Sequence, residues 1–240
     1  MKATTTWRIT GATFLALGLA SFILTTVLQW ILQAADPSAT MIAAIDAHPG
    51  LWLTMSLAAV LGPLVWIGGI IPVTALVRGR GWVLTTIGGY LTGIGLAAAV
   101  GHLALYFGLY GDLAASGLDA SAVSAVGSAD DRAVLANLLL MLFLIAFGLG
   151  PILLTVGLRR GGVVPVWVPV AAIVATVANF VGGVAAAGVQ LAALALTFVP
   201  LIVILARPRP PRLGLPDEKS TADQDRRAGR AAARGLPGNS

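Results

Sequence analysis

Five stretches without a single Asp, Glu, Lys or Arg divide the first 206 residues, at 9–35, 47–77, 81–111, 133–158 and 161–206. A helix rises about 1.5 Å per residue and the hydrocarbon layer of a bilayer is about 30 Å thick, so roughly 20 apolar residues complete one crossing. Each stretch is long enough. Only 10% of the chain is charged and its mean hydropathy is +0.91, whereas a soluble domain carries about a quarter charged residues. Too little charge remains to coat a water-facing surface of this size. The expected fold is all-α, a polytopic transmembrane helical bundle with the lipid bilayer as its solvent.

Four stretches read as one span each. The last holds 46 residues and would reach about 69 Å as a single helix, twice the thickness available. It must turn round, and Gly182, Gly183 and Gly188 are the expected hinge, because glycine adopts positive backbone angles at no steric cost. Six spans are therefore predicted, at about 11–33, 51–77, 82–110, 133–158, 164–184 and 188–206. The first apolar run has 27 residues, well beyond the 7 to 15 of a secretory signal core, so it reads as an uncleaved span. The tail, 207–240, mixes Pro, Gly, Arg and acids with few large apolar side chains and is expected to be disordered.

Charge placement sets the orientation, because Lys and Arg close to span ends are retained on the cytoplasmic side. With six spans and the N-terminus inside, 14 basic residues fall inside and only Arg132 outside, while six of the ten acids fall outside. A five-span path would put the eight basic residues of the tail outside. Both termini are thus expected in the cytoplasm. The tail's basic start, RPRPPR from Arg207, reads as an anchor on anionic headgroups, and no nucleic-acid partner is expected.

Two stripes on the third span carry packing information. Gly89, Gly93, Ala97 and Gly101 recur every four residues, a small-xxx-small pattern that lets a second helix approach closely, from this chain, a second copy or a membrane-protein partner. Gly88, Thr92, Gly95, Ala99, His102 and Tyr106 form the other stripe, which is expected to turn His102 into the bundle. Pro72, Pro151 and Pro200 each precede a basic pair by one and a half to two turns. Three tandem hairpins would produce that pattern, as would the ordinary frequency of proline in membrane helices.

Ionisable side chains inside a membrane usually mark ion or proton paths, and the predicted spans hold no acid, Lys or Arg. That argues against a proton-coupled pump. The polar side chains within them are Gln29, Gln33, His102, Asn137, Asn179 and Gln190, all in the outer half. Together they are able to line a shallow pocket open to the outside, and His102, Asn137, Asn179 and Gln190 are the candidate ligand-binding residues. The competing reading is interhelical hydrogen bonding, worth about 0.6 kcal/mol each. No cofactor or metal is expected. A second intramembrane histidine for a bis-histidine haem is missing, Asp46 and His48 fall short of a zinc site's three or four ligands, and there is no cysteine. The chain has no G-x-S-x-G, phosphate-loop or H-E-x-x-H motif, so no catalytic residue is assigned.

Outside the membrane, Asp36 and Pro37 are expected to open a short helix whose Met41, Ile42 and Ile45 share a face along the outer headgroups. The segment from Gly111 to Arg132 reads as a flexible or partly helical loop. Trp7, Trp30, Trp52 and Trp82 fall near predicted interfaces and are assigned to the aromatic belt.

The segment from Ala146 to Gly183, with FGLGPILLTVGLRRGGVVPVWVPVAAIVATVANFVGG and in it Phe147, Gly148, Gly150, Arg159, Arg160, Gly161, Pro165 and Trp167, resembles the closing half of a family of uncharacterised bacterial multi-pass membrane proteins. The opening RITGATFLALG from Arg8 is also similar to theirs. The resemblance covers about a third of the chain and implies a bacterial plasma (inner) membrane protein without catalytic residues. A count of 13 Arg against 2 Lys agrees with a GC-rich bacterial genome. The function expected from all this is that of a non-enzymatic membrane component acting through helix packing or partner contacts. The alternative is a carrier for a small neutral or weakly polar solute.

Overall fold

The computed structural model describes residues 5–35, 40–118, 125–126 and 133–207. Seven helices and no strand occur among them: α1 (Thr5–Ala35), α2 (Met41–Ala47), α3 (Pro49–Thr74), α4 (Trp82–Ala115), α5 (Val134–Arg160), α6 (Trp167–Val181) and α7 (Gly183–Ala206). The 207–240 tail beyond Arg207 and most of the 111–132 segment, with Asp36 and Pro37, lie outside the described residues. Five helices, all but α2 and α6, are long and apolar enough to cross a membrane. Their outward faces make the same point. On α3, Leu53, Leu57, Leu61, Leu64 and Ile71 are all about half exposed or more, a continuous apolar stripe that water would not tolerate and lipid accepts. This is a membrane-embedded, all-helical protein.

Gly182 and Gly183 make the turn in the last apolar run, with φ of +70° and +84°, where an L side chain is strained. Gly188 lies inside α7 and takes no part in the turn. The helix before the turn, α6, has only 15 residues, about 22 Å. It is shorter than the 164–184 span expected from the sequence because Val163 to Pro165 form a non-helical lead-in, closed by the Val163 N–H donating to the Leu158 carbonyl. At the other extreme, α4 continues past Tyr110 to Ala115, five residues further than the expected span.

The helices close a ring. α1 packs on α3, α3 on α4, α4 on α5, α5 on α6, α6 on α7, and α7 back on α1, while α2 lies against α3 and α4. Two antiparallel seams bring backbones into contact. In the α4–α5 seam, a Cβ added at Gly88 would strike the Leu154 backbone, one at Gly95 the Phe147 backbone, one at Gly150 the Thr92 backbone and one at Gly157 the Thr85 backbone. The register is constant along it: every step forward in α4 is matched by an equal step back in α5. In the α1–α3 seam, Gly11 faces Pro72, Gly18 faces Trp66, Gly69 faces Leu15 and Gly62 faces Ser21. Each helix thus presents glycines seven residues apart, the repeat that keeps one face of a slightly supercoiled pair in register.

The four-residue stripe expected to mediate close approach is used differently. Gly89 meets Thr74 of α3 and Gly101 meets Leu139 of α5, but Gly93 has nothing within 4 Å and Ala97 is exposed. The tight seam is made by the neighbouring stripe, with Gly88, Thr92, Gly95 and Ala99 all buried. The three prolines Pro72, Pro151 and Pro200 lie inside continuous helices.

The basic residues at the ends of α1, α3, α5 and α7 share one end of the ring. There Arg8, 91% buried, donates from Nη2 to the Ile204 carbonyl at 2.5 Å. It satisfies a carbonyl in the last turn of α7, where a cation also complements the helix dipole.

Candidate functional site

At the opposite end, the ring holds a cavity of about 590 Å³. The lining comes from α1, α2, α3, α4, α5 and α7, in two zones. Deep in the bundle the walls are apolar and aromatic: Gly18, Phe22, Trp66, Leu96, Phe143 and Phe147. Trp66 anchors this zone at 1% exposure. Its ring meets Phe22, Phe147 and Phe198 edge-on at centroid distances of 6.3, 5.7 and 4.9 Å, the arrangement that aromatic quadrupoles favour. Such close packing needs Gly18, because any side chain there would collide with Trp66.

Toward the mouth the lining turns polar, with Gln29 and Gln33 from α1, His102 and Tyr106 from α4, and Gln190 from α7. Gln29 and Gln33 are one turn apart and so face the same side. The His102 ring bonds through Nδ1 to the Ala136 carbonyl at 3.2 Å. A carbonyl only accepts, so Nδ1 carries the hydrogen and Nε2 of the neutral ring is an acceptor. Gln190 donates through Nε2 to Asn179 Oδ1 at 2.8 Å, which orients its amide and leaves its own carbonyl oxygen as an acceptor.

A small roof closes over part of the mouth. Thr40 caps α2 by accepting from the Ala43 N–H, and Pro49 begins α3 immediately after the His48 cap. Ile45 is buried beneath α2, and Met41 and Ala44 line the cavity. The Tyr106 hydroxyl reaches the Met41 sulfur at 3.3 Å, tying the roof to α4. The apolar face of this helix covers other helices through Ile45, while Met41 stays exposed. Trp52 leaves the aromatic belt. It is 7% exposed and packs on Phe107 at 4.9 Å and Tyr106 at 6.5 Å. Trp7 and Trp82 are exposed on the bundle surface.

Of the four candidate residues, His102 and Gln190 line the cavity, and Asn179 stands behind Gln190 as its hydrogen-bond partner. Asn137 is exposed on α5 and is not part of the lining; its neighbour Ala136 supplies the carbonyl that orients His102. Gln29 and Gln33, grouped with the other polar residues as able to line a pocket but not among the four candidate ligand-binding residues, line the cavity too. Sequence reasoning missed Trp66 and Phe147, which one sequence cannot distinguish from lipid-facing aromatics. Asp46 and His48 are exposed at the end of α2, and among the described residues no three His, Asp or Glu side chains gather to hold a metal ion.

An apolar helix ring enclosing a cavity with a polar mouth and an aromatic floor defines a membrane-embedded protein with a candidate small-molecule site. Comparison of the chain with protein-family models, with curated proteins and with solved structures finds no match.

Proposed function

We propose that this protein binds a small neutral or weakly polar molecule in the cavity at the α2 end of the ring and carries it at or across the bacterial inner membrane. In this reading the chain crosses the bilayer six times, with α6 as the shortest crossing, and both termini are cytoplasmic. The cavity then opens to the outer side. The observation that carries the reading is the cavity itself: about 590 Å³ within a closed ring, with Gln29, Gln33, His102 and Gln190 at its mouth and Trp66 and Phe147 at its floor. The placement of Arg8, Arg78, Arg80, Arg159, Arg160 and Arg207 at the opposite end supports the orientation. Resemblance to the bacterial multi-pass family supports the choice of membrane.

The chain has no cysteine, so single-cysteine labelling tests the reading directly. Gln33→Cys in intact cells should react with a membrane-impermeant maleimide, and a carboxy-terminal reporter should be active only in the cytoplasm. Labelling of Gln33→Cys only in inverted vesicles, or a periplasmic carboxy terminus, would refute it.

A second reading is a membrane component that works through helix contacts with a partner or a second copy. It is supported by the open surface on α4, where Gly93 meets nothing within 4 Å beside exposed Ala97, Tyr90 and Ile94. Disulfide cross-linking of Gly93→Cys between copies is its test. Absence of any cross-link to itself or to another membrane protein would dismiss it.

A further inference from the structure

The cavity is long as well as partly polar. Its lining follows α1 from Gly18 to Gln33 and α3 from Trp66 to Trp52, which at 1.5 Å per residue is about 21–22 Å along each helix. A volume of about 590 Å³ spread over that length leaves a slot well longer than it is wide. A compact solute would fill only part of it and leave apolar wall facing empty space, forfeiting contacts along the rest.

Polarity changes once along the slot, from the Phe22, Trp66 and Phe147 zone to the Gln29, Gln33 and Gln190 zone. No Asp, Glu, Lys or Arg appears among the described lining residues. A charged group entering it would lose hydration with no counter-ion in return, a cost of several kcal/mol. Neutral hydroxyl, ester or amide groups would instead exchange water for amide hydrogen bonds. The Gln190 carbonyl oxygen and His102 Nε2 are acceptors aligned by their own partners, Asn179 and Ala136, so the mouth suits a head that donates as well as accepts. Polyol heads do both.

We infer that the slot holds a neutral single-chain amphiphile, its hydrocarbon end against Trp66 and Phe147 and its uncharged hydroxylated head among Gln29, Gln33 and Gln190. The inference rests on the proposal that the cavity takes a neutral ligand and specifies the ligand's shape and polarity.

Quenching of Trp66 tests it, with the full chain in lipid nanodiscs. The probes are a monoacylglycerol with a dibrominated chain, the corresponding brominated fatty acid held ionised at pH 9, and bromobenzene as a compact neutral solute. The Trp66-dependent part of the signal is the difference between the native protein and Trp66→Phe. Saturable quenching by the monoacylglycerol is expected at about tenfold lower concentration than by the ionised acid. Replacing two of the three mouth amides, Gln29→Leu with Gln33→Leu, should raise its half-saturation about five- to tenfold and leave bromobenzene unchanged.

Equal quenching by the neutral and ionised chains, or no effect of the glutamine substitutions, overturns the amphiphile assignment. If bromobenzene alone saturates, the neutral-ligand cavity stands and the chain-shaped occupant falls. Where no probe saturates, both proposals fall. Should Trp66→Phe not assemble, the saturable component in the native protein, compared between neutral and ionised chains, decides the same question.

Discussion

Gly95→Ala isolates the α4–α5 seam with the smallest available perturbation. The added methyl would lie 2.5 Å from the Phe147 backbone nitrogen and 2.9 Å from its Cα. Ordinary contact begins near 3.4 Å, so the helices must separate locally by about 0.9 Å. Backbone atoms cannot rotate aside as a flexible side chain would. A gap of about 0.5–1 Å forfeits a quarter to a half of each contact's 0.1–0.2 kcal/mol, and a large buried side chain makes about 40–60 such contacts. Over roughly 40 affected pairs the loss is about 2 kcal/mol, within the usual range of about 1–3 kcal/mol for overpacking. The unfolding equilibrium constant should rise about 30-fold. Gly93→Ala is the matched control, on the same helix two residues away with nothing within 4 Å, and it should cost nothing. Reversible unfolding in mixed dodecyl maltoside and SDS micelles, followed by circular dichroism, measures both. Equal stability of Gly95→Ala and wild type, or an equal loss in Gly93→Ala, would refute the assignment of the close seam to the seven-residue glycine repeat.

Three further outcomes follow from local geometry. Gly182 combines φ of +70° with ψ of −179°, a region nearly closed to side chains, so Gly182→Ala should cost about 2–3 kcal/mol and protease accessibility of the α6–α7 turn should rise. Arg8→Leu removes the donor to the Ile204 carbonyl; unfolding titrations should show a loss of about 1.5–3 kcal/mol, typical of a hydrogen bond to a charged group. The Thr176 hydroxyl donates across helices to the Gly148 carbonyl at 3.0 Å but also to Ala172 on its own helix. Thr176→Val keeps the shape, and should cost only about 0.6 kcal/mol in the same titration.

How legible this structure was in the sequence depended on which physical signal each feature used. The positions of the long apolar helices were legible because charge is excluded from hydrocarbon: the runs ending at Arg78, Arg159 and Arg207 contain α3, α5 and α7. That the last run turns followed from its length, since no single helix of 46 residues fits, and the place of the turn followed from its glycines, of which Gly182 and Gly183 adopt positive φ. The roof was half legible. Met41 and Ile45 showed a common apolar face, but an apolar face next to a membrane can meet lipid or protein equally well, and only the packing of Ile45 onto Trp52 and Phe107 decides between them.

The helix faces were the hard part, for a reason specific to lipid. In water a helix shows its buried side by contrast with a polar side, but here both sides are apolar and that contrast vanishes. Leu64 and Trp66, two residues apart on α3, are about half exposed and fully buried respectively, yet either could face outward by composition. Glycine spacing is then the main remaining mark of a face, and α4 carries two interleaved sets. Gly89, Gly93 and Gly101 form the shorter, more familiar repeat; Gly88, one position from Gly89, and Gly95, two positions from Gly93, make the close seam with α5. The second set is identified by its counterpart: Gly150 and Gly157 on α5 repeat the same seven-residue step in reverse, as Gly11 and Gly18 on α1 do against Gly62 and Gly69 on α3. A repeat on one helix is ambiguous, whereas matching repeats on two helices define a seam, because backbones approach closely only where both surfaces recede. The cavity follows from the same pairing. Close seams hold α1 to α3 and α4 to α5, and where the glycines give way to Gln29, Gln33, His102 and Tyr106 the ring opens enough to leave space between them.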